Sequence, residues 1–420
     1  MARRDLARVP DRFVWHPAAR VFGPDGHAVV PAPLPLPASL PLDGVGAVIG
    51  STDCGAAVAG ALARGAAGLP FRVGAVALPA PEPGARPVFE TLTSGSTGVP
   101  RRIRRSQRSW CASFAVNAGL FGIGPGVRIA VPGRMEHSLS LYGALEGACL
   151  GAAVHLLAGL RPDAQAREIA ARGVEVLYAT PAQLRLMVEA GGGVAWPGLR
   201  LVLVGGSKLD AVLRAALAAI APGAEVREFY GAAEASFVTL TDARSPEGSV
   251  GRPYPGVQVE IRSAGGAVLG DPAVGEVWVR SPYLCDRYGG RGMPALRKAG
   301  WLSVGEMGWM ERGELHLAGR AGRMVTVADQ NVFPEEIEGF LAGLPGVRRV
   351  AVLPKADLMR GHVLVAVIMG DAAREADILR AARARLGALK APKAVIWRAD
   401  WPELPSGKAD LTRIAAEAGL

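Results

Sequence analysis

The segment Thr93-Ser94-Gly95-Ser96-Thr97-Gly98-Val99-Pro100 carries the strongest chemical signal in this chain. Its two glycines allow backbone angles that residues with a Cβ avoid, so several backbone N–H groups can point at one anion. Hydroxyls on Ser94, Ser96 and Thr97 add donors to the same turn. The Walker pattern GxxxxGK[ST] is missing, so the segment predicts a phosphate-binding turn of a different kind. An ordinary surface turn is the alternative, because Gly and Ser are common in turns.

On both sides of this loop, short apolar runs alternate with helical patterns. Before it, the runs at residues 44–50, 56–68 and 73–79 predict a strand, a helix and a strand. After it, we expect helices at 106–121, 143–151, 162–172, 181–190 and 209–220, and strands at 127–131, 154–157, 174–179, 199–204 and 225–230. Strands and helices that alternate at this spacing favour parallel βαβ units.

The character of the sequence changes after residue 248. Short strands with turns at 257–270, 275–282 and 313–320 indicate a small antiparallel β subdomain. The last hundred residues alternate strand-like and helical segments. The sequence therefore predicts a mixed α/β (α+β) fold, with a large domain over residues 1–319 and a small, mobile α+β domain over residues 320–420. The proline-rich residues 1–45 are expected to form an irregular covering arm.

The chain is basic, with 47 Lys and Arg against 38 Asp and Glu among its 420 residues. We expect no nucleic-acid partner, because no basic motif is interleaved with aromatic residues. A solvated surface explains most of the charge. The cluster Arg-Arg-Ile-Arg-Arg at residues 101–105 has two interpretations. It could face an anionic substrate or an acidic carrier protein, or it could be phosphate-side charge that runs into a solvated helix start.

The four cysteines, Cys54, Cys111, Cys149 and Cys285, lie far apart and form no CxxC pair. They argue against a zinc site or a disulfide scaffold and favour reduced thiols in a cytoplasmic protein. No apolar run is long enough for a membrane span of about 20 residues. A monomer or a homodimer is expected.

Two further segments could carry charge chemistry. Glu234 lies in FYGAAEAS (residues 229–236), just after a predicted strand, where a carboxylate could hold Mg²⁺ against phosphate oxygens. Lys408 lies in LPSGKADLTRI (residues 404–414), a tight turn that leaves its ammonium free to reach a phosphate or an oxyanion. A solvated glutamate and a surface lysine are the alternatives for each segment alone.

Taken in order, these segments resemble the adenylate-forming superfamily, which includes acyl-CoA and aryl-CoA synthetases, peptide-synthetase adenylation domains and luciferase. TSGSTGVPR is similar to the family's phosphate loop. VLVGGSKL (residues 202–209) resembles the segment that lines the adenine and acyl pockets, and FYGAAE resembles the Tyr-Gly-x-Thr-Glu motif. LAGRAGRMVTVADQNVFPEEIE is similar to the hinge motif, and SGKADLTR to the catalytic-lysine motif.

The resemblance implies an acid–thiol ligase that uses ATP and Mg²⁺. A small acyl or aryl acid would first form an acyl-adenylate and pyrophosphate. The thiol of CoA, or of phosphopantetheine on an acyl carrier protein, would then displace AMP and form a thioester, after the small domain has rotated. A non-catalytic or adenylation-only homologue with a binding or regulatory role is the alternative.

The resemblance also implies roles for individual residues. Lys408, Glu234 and Thr97 would be catalytic, and Glu234 and Thr97 would hold the metal. His137, Gly205, Gly206 and Gly231 would line the acid pocket, and Gly322 would be the hinge. The residues expected to contact ATP are Thr93, Ser94, Gly95, Ser96, Gly98, Arg101, Gly206, Ser207, Tyr230, Gly231, Ala232, Ala233, Glu306 and Arg320.

Several positions depart from the family pattern. Arg101 replaces the usual lysine, Ala233 the usual threonine, and Glu306 an aspartate that would bind the ribose. Gly322 stands where an acidic hinge residue is usual, and Asp329 where glycine is common. The short segment before the loop resembles compact ligases found beside fatty-acid and polyketide-type synthases. This makes a carrier protein a plausible acceptor.

Overall fold

The computed structural model describes residues 9–29, 45–93, 100–290, 297–328, 330–404 and 409–420. The chain divides into two compact units. The first unit holds Met1–Val259 and Val279–Val304, and the second holds Glu260–Trp278 and Gly305–Leu420. The division into residues 1–319 and 320–420 stays a prediction about mobile domains.

The first unit consists of short strands and helices that alternate along the chain. Its elements are β1 Arg20–Phe22, β2 Ala28–Val29, β3 Ala47–Ile49, α1 Cys54–Ala66, β4 Phe71–Val73, β5 Val88–Thr93, β6 Arg101–Ser106, α2 Gln107–Phe121, β7 Arg128–Val131, α3 Ser138–Leu150, β8 Ala153–Leu156, α4 Pro162–Ala171, β9 Val176–Ala179, α5 Pro181–Ala190, β10 Leu201–Val204, α6 Ala211–Ile220, β11 Glu225–Ala232, β12 Ser236–Leu240, β13 Arg252–Pro253, β16 Arg287–Tyr288 and β17 Arg297–Lys298. The strands β14 Gln258–Arg262, β15 Gly275–Arg280 and β18 Trp301–Glu311 contain the points where the chain passes from one unit to the other.

Two sheets organise the first unit. The larger sheet has the strand order β13-β12-β11-β10-β9-β7-β8-β1-β2, and its strands from β11 to β1 run parallel. The smaller sheet has the order β16-β6-β5-β4-β3. Helices α3 to α6 each connect two parallel strands of the larger sheet. The predicted βαβ units and the mixed α/β fold are therefore confirmed.

Local sequence explains where these helices begin and end. Thr180 and Gln183 form a capping box at the start of α5, and Pro181 occupies the first turn, where a missing N–H costs nothing. The side chain of Asp210 caps α6. Gly151, with φ +93°, ends α3. The helix predicted at residues 143–151 therefore has the right end, but it begins earlier, at Ser138.

The expectation of an irregular arm over residues 1–45 is wrong for part of its described range. Arg20–Phe22 and Ala28–Val29 form strands, and Val21 pairs with Val154 of β8. Val21 is completely buried. Burial of this apolar side chain explains why the segment joins the sheet.

The prediction of a strand over residues 73–79 is also wrong, because β4 ends at Val73. The chain turns at Gly74 (φ +83°) and Ala75 (φ +50°). The turn wraps around the buried guanidinium of Arg72, which donates to the carbonyl oxygens of Ala75 at 3.1 Å and Leu78 at 2.9 Å. A buried cation needs such acceptors, so the polar requirement of Arg72 overrides the apolar pattern that follows it.

A buried polar network lies among α2, α3 and β9. Asn117 Nδ2 donates to Glu146 Oε1 at 2.8 Å, and the Tyr178 hydroxyl donates to Glu146 Oε2. The Tyr254 hydroxyl donates to Asn117 Oδ1 at 2.5 Å. Glu146 is completely buried, and this burial raises the pKa of its carboxyl group to about 7. The network therefore satisfies a carboxyl group with neutral donors.

The second unit contains a β-hairpin region and a three-stranded sheet with helices. Its remaining elements are β19 Glu314–Arg320, a 3-10 turn Ala321–Arg323, β20 Val325–Val327, β21 Gln330–Val332, α7 Pro334–Ala342, β22 Val347–Asp357, β23 Gly361–Gly370, a 3-10 turn Ala372–Arg374, α8 Glu375–Lys390, β24 Ala394–Arg398 and α9 Leu411–Ala418. β22 and β23 pair antiparallel, and β23 and β24 pair parallel. Apolar side chains that include Ile337, Val352 and Ile378 pack in its core. The α+β character predicted for the end of the chain is confirmed.

None of the helices in the described ranges combines the length and the apolar character needed to cross a membrane. The four cysteines all lie in described ranges, and none forms a disulfide.

Candidate active site

The Gly-rich loop connects two antiparallel strands. β5 ends at Thr93, which pairs with Arg101 at the start of β6. Thr93 is half-buried, and Arg101 is exposed. The predicted phosphate-binding residues Ser94, Gly95, Ser96, Thr97 and Gly98 lie outside the described residues. The structure thus places the two ends of the loop next to each other, as a hairpin requires.

Both interpretations of the arginine cluster are wrong for three of its members. Residues 102–105 belong to a buried strand, and Arg102, Arg104 and Arg105 have buried side chains. Arg102 donates to Pro79 O at 2.6 Å, and Arg104 donates to Pro83 O at 2.8 Å. These guanidiniums satisfy backbone carbonyls inside the protein, so within the cluster the exposed cation is Arg101.

Arg105 connects β6 to the turn that carries Glu234. Its guanidinium donates to Ala233 O and to Ser236 Oγ. It also lies over the Trp110 indole, 5.6 Å from the ring centroid, and Trp110 Nε1 donates to the same Ser236 Oγ at 3.2 Å. Burial lowers the pKa of Arg105. A fully buried cation therefore binds one residue on each side of Glu234.

Glu234 occupies the tip of the hairpin between β11 and β12. Ala232 pairs with Ser236, so three residues form the turn, and Ser236 closes it in the left-handed conformation with φ +58°. The Cys285 N–H donates to Glu234 O at 2.7 Å. The Tyr288 hydroxyl donates to Glu234 Oε1 at 2.9 Å. The position of this carboxylate is thus set by residues distant in sequence.

The donor set of Glu234 fits a metal ion delivered with phosphates. No hydrogen bond from a described residue reaches its Oε2 atom. Mg²⁺ usually takes one or two carboxylates and completes its shell with waters and substrate phosphates. The described ranges contain no group of three or more His, Cys, Asp and Glu that could hold a metal by itself. A metal that shares Glu234 with a nucleotide suits this arrangement better than a site built from protein ligands alone.

A cleft of about 310 Å³ opens beside Arg101. Arg101, Arg102 and Tyr288 contribute to its walls. Burial raises the pKa of Tyr288 to about 12, and the charge of Glu234 adds to the shift. The phenol therefore stays a hydrogen-bond donor at neutral pH. An exposed guanidinium and a phenol bound to Glu234 thus border the cleft.

Other predicted residues meet at the carboxyl edge of the parallel strands. Gly205, Gly206 and Ser207 follow β10, and Tyr230 and Gly231 lie near the end of the neighbouring β11. Ligands of open α/β sheets bind at this edge. The structure therefore brings the nucleotide and acid residues of the two motifs together, although their individual roles stay predictions.

Packing accounts for two of the glycines expected to line the acid pocket. A Cβ on Gly205 would lie 2.2 Å from the Phe229 ring, and a Cβ on Gly231 would lie 2.3 Å from Ser236 O. Neighbouring atoms thus occupy the space left by the missing side chains. Gly206 differs, because its φ of +97° is what favours glycine there.

His137 lies near the base of the Gly-rich loop. It forms a parallel bridge with Leu92, the residue before Thr93, and it precedes the first residue of α3. Its side chain is half-buried, and burial lowers its pKa. The neutral imidazole is therefore favoured, as expected for a group that lines a pocket without adding charge.

In the second unit, two predicted nucleotide contacts form a pair. Glu306 faces Arg320 across the β18–β19 hairpin, and Arg320 Nε donates to Glu306 Oε1 at 3.2 Å. Gly322 lies two residues later in a 3-10 turn, where an added Cβ would meet no atom within 4 Å. Lys408 and Asp329 lie outside the described residues.

Sequence reasoning missed Arg105 and Tyr288. Arg105 was one of several arginines in a run, and such runs are usually solvated. Tyr288 lies 54 residues after Glu234, with no motif that links the two. Only the pairing of β16 with β6, which places Tyr288 opposite Ile103, brings the phenol to the carboxylate.

Two segments of the chain match known protein families. Residues 45–288 match the family described as AMP-binding enzyme, and residues 336–408 match the AMP-binding enzyme C-terminal domain. The first match ends at Tyr288, and the second ends at Lys408.

The individual relatives include acyl ligases and an amide bond synthetase. The chain is 34% identical over 333 residues to an uncharacterized acyl-CoA ligase, YhfT, of Bacillus subtilis (strain 168), covering 78% of this chain and 68% of that protein. It is 29% identical to the fatty acid–[acyl-carrier-protein] ligase ScoC of Streptomyces coeruleorubidus, covering 77% and 66%. Among solved structures, the amide bond synthetase McbA of Marinactinospora thermotolerans has a TM-score of 0.71 at 28% identity, with coverage of 79% and 68%.

Proposed function

Because the chain belongs to the family of AMP-binding enzymes, we propose that it activates a carboxylic acid with ATP and transfers the acyl group to a thiol. A carboxylate oxygen attacks the α-phosphorus of ATP, and pyrophosphate leaves. The thiol sulfur then attacks the acyl carbon of the adenylate, the thiol proton is lost, and AMP leaves. The product is a thioester.

The first unit supplies the groups for the first step. The Gly-rich loop and Arg101 bind phosphate oxygens, and Glu234 and Thr97 hold the metal. When bound, Mg²⁺ neutralises charge on the phosphates. His137, Gly205, Gly206 and Gly231 border the acid, and Tyr230, Ala232, Ala233 and Ser207 contact the nucleotide. The observation that best supports this proposal is the geometry around Glu234, where Arg105 and Tyr288 fix a carboxylate that keeps one oxygen available.

The second unit supplies the ribose and lysine contacts. Glu306 accepts from the ribose hydroxyls, and its bond with Arg320 holds the carboxylate in place. Lys408 neutralises charge on the attacking carboxylate and the bridging phosphate oxygen. Rotation about Gly322 between the two half-reactions is part of the proposal. The open surroundings of this residue support it, because a change of backbone angles there displaces no packed side chain.

The acid is an acyl or aryl carboxylic acid, and the acceptor is CoA or a phosphopantetheine-bearing carrier protein. The absence of disulfides among the described cysteines agrees with a cytoplasmic location, which we also propose. A monomer or homodimer stays a prediction.

Exchange of labelled pyrophosphate into ATP tests the function. Exchange should require Mg²⁺ and one member of a panel of acyl and aryl acids, and Lys408→Ala should slow it by orders of magnitude. Lys393→Ala is the matched control. Transfer to CoA, to holo acyl carrier protein and to an amine should then be followed by mass spectrometry, because one solved relative makes amides. The proposal fails if ATP binds but no acid supports exchange.

A further inference from the structure

The turn between β22 and β23 exposes two apolar side chains. Leu358 and Met359 are more exposed than any other large apolar residue in the described part of the chain. Met359 is 94% exposed, compared with 72% for Val212, the next in order. Two neighbouring apolar side chains that are left fully in water suggest a surface that another molecule covers.

This turn is held in a fixed shape. Asp357 Oδ1 accepts from Met359 N at 3.1 Å and from Arg360 N at 2.9 Å. Gly361 closes the turn with φ +70°, and it pairs with Asp357. Arg360 O accepts from Ala328 N at 3.1 Å, so the turn is also supported by the neighbouring residues of the second unit. A preorganised turn loses little conformational entropy when a partner binds.

Several cations lie in the same part of the second unit as the apolar pair. Lys355, Arg360 and Arg383 have exposed side chains, and none of them forms a salt bridge with a described residue. Lys355 pairs with Val363, and Lys393 N donates to Leu364 O at 2.8 Å, so both lysines lie beside the strand that leaves the turn. Burial lowers the pKa of Lys393, and the charges of Arg360 and Arg383 lower it further. The carboxylate of Asp357 is engaged by the turn itself. The surface therefore carries excess positive charge and suits an acidic partner.

Uncharged polar side chains are exposed on the hairpin that supports the turn. Thr326 and Asn331 are exposed on the β20–β21 hairpin, whose residue Ala328 bonds to the turn. An apolar centre with a polar rim is typical of protein–protein interfaces. Leu358 and Met359 alone also offer little apolar area for insertion into a lipid bilayer. These features favour a protein partner over a membrane.

We propose that the Leu358–Met359 turn, with Lys355, Arg360, Arg383 and Lys393 around it, docks an acidic carrier protein that presents the acceptor thiol. This inference rests on the proposed function, because it names the acceptor of the second half-reaction. Apolar side chains of the carrier cover Leu358 and Met359, and its carboxylates meet the surrounding cations. CoA has no protein surface to cover Leu358 and Met359, so this apolar pair contributes nothing to its binding.

Thioester formation with two acceptors tests the proposal. Initial rates should be measured against holo acyl carrier protein and against CoA for the wild type, for Leu358→Ser with Met359→Ser, and for Arg360→Glu. We expect the KM for the carrier protein to rise at least tenfold in both variants. The KM for CoA should change less than twofold in the Leu358→Ser with Met359→Ser variant, and the rate of pyrophosphate exchange should change less than twofold in both variants. Val212→Ser and Arg86→Glu, at exposed positions of the first unit, are matched controls.

Each other outcome overturns the inference. A carrier KM that is unchanged in the variants contradicts it, as does a wild-type enzyme that acylates CoA but no carrier protein. Sedimentation with vesicles of phosphatidylglycerol and phosphatidylcholine tests whether the turn binds a membrane instead. If the variants lose vesicle binding while their carrier KM is unchanged, the turn is a membrane contact. Loss of exchange with every acid in the wild type would instead contradict the proposed function itself.

Discussion

The hydroxyl of Tyr288 donates a hydrogen bond of 2.9 Å to Oε1 of Glu234. The phenol comes from β16, and the carboxylate lies on the turn between β11 and β12. Two segments that are separate in the sequence thus meet at the carboxylate proposed to hold the metal.

Replacing Tyr288 with Phe should weaken the use of MgATP. The ring would remain, but the carboxylate of Glu234 would lose the bond that orients it. We expect the apparent KM for MgATP in pyrophosphate exchange to rise about tenfold, which corresponds to about 1.4 kcal/mol, with a smaller change in kcat. The effect should not vary across neutral pH, because the pKa of Tyr288 is raised to about 12. Titration of Mg²⁺ binding by calorimetry, with ATP present, provides a readout independent of turnover.

Tyr283→Phe is the matched control for this change. Its hydroxyl donates to Pro255 O at 2.7 Å, away from Glu234. Equal effects of the two substitutions on the KM for MgATP would contradict a specific role for Tyr288.

Replacing Arg105 with Met should slow adenylate formation. The variant keeps an unbranched side chain but leaves Ala233 O without its donor and removes one of the two donors to Ser236 Oγ, so the turn around Glu234 loses internal support. We expect a decrease of about tenfold in exchange rate, together with a loss of about 1–3 kcal/mol in the free energy of unfolding.

Arg104→Met separates these two effects. Arg104 is also a buried arginine, but it donates to the carbonyls of Glu82 and Pro83. It should lower stability by a similar amount without slowing exchange in the folded enzyme. If Arg104→Met slows exchange as much as Arg105→Met does, the bond from Arg105 to Ala233 O has no specific role in adenylate formation.

The buried carboxyl group of Glu146 should make stability depend on pH. Its pKa is raised from 4.5 to about 7 by burial, so the folded state binds more protons than the unfolded state between these values. Stability should therefore fall as the pH rises through this window, by about 3 kcal/mol in total. Glu146→Gln should remove this dependence, because an amide does not titrate. Its oxygen can accept from Asn117, and its NH2 group can donate to the Tyr178 hydroxyl.

Urea unfolding at about pH 5 and about pH 8 measures this difference, since the two pH values lie on either side of the window. The free energy of unfolding of Glu146→Gln relative to the wild type should increase with pH. A difference that stays constant would show that the carboxyl group does not titrate in this range.

Replacing Gly205 with Ala should destabilise the first unit through Phe229. The new methyl group would lie 2.2 Å from the ring, and such overpacking typically costs about 1–3 kcal/mol. Phe229→Leu should relieve part of this cost, so the double variant should be more stable than the sum of the two single changes predicts. If the changes in the free energy of unfolding are additive, the cost of Gly205→Ala does not come from the Phe229 ring.

The parallel part of the fold could be predicted because apolar strands and amphipathic helices repeat at regular spacing. Helix starts such as Pro181 carry their own local signals. The strand after the Gly-rich loop could not be predicted, since four arginines in five residues are typical of solvated segments. Their burial depends on carbonyls that only the folded chain supplies, among them Ala233 O, 128 residues after Arg105.

The candidate site also has one part that the sequence predicts and another part that depends on the folded chain. Glu234 could be proposed because it follows a strand within a motif, and its neighbours Tyr230 and Gly231 are local to it. The groups that hold the carboxylate could not be proposed, because the bulge and the left-handed Ser236 that shape the turn have no sequence signature. The Phe229 ring that occupies the space of a side chain at Gly205 could not be predicted either, because only the pairing of β10 with β11 brings it there.

The burial of the native cysteines has a practical consequence. Cys54, Cys111 and Cys285 are buried, and burial raises the thiol pKa of Cys111 to about 12. Burial also raises the pKa of Cys149, the fourth cysteine. The thiolate is the form that attacks thiol reagents, so these side chains should react slowly. A cysteine introduced at Gly322, where the surroundings are open, could then carry a single fluorophore or spin label without prior removal of the native thiols. Such a label would follow the motion proposed for this residue during turnover.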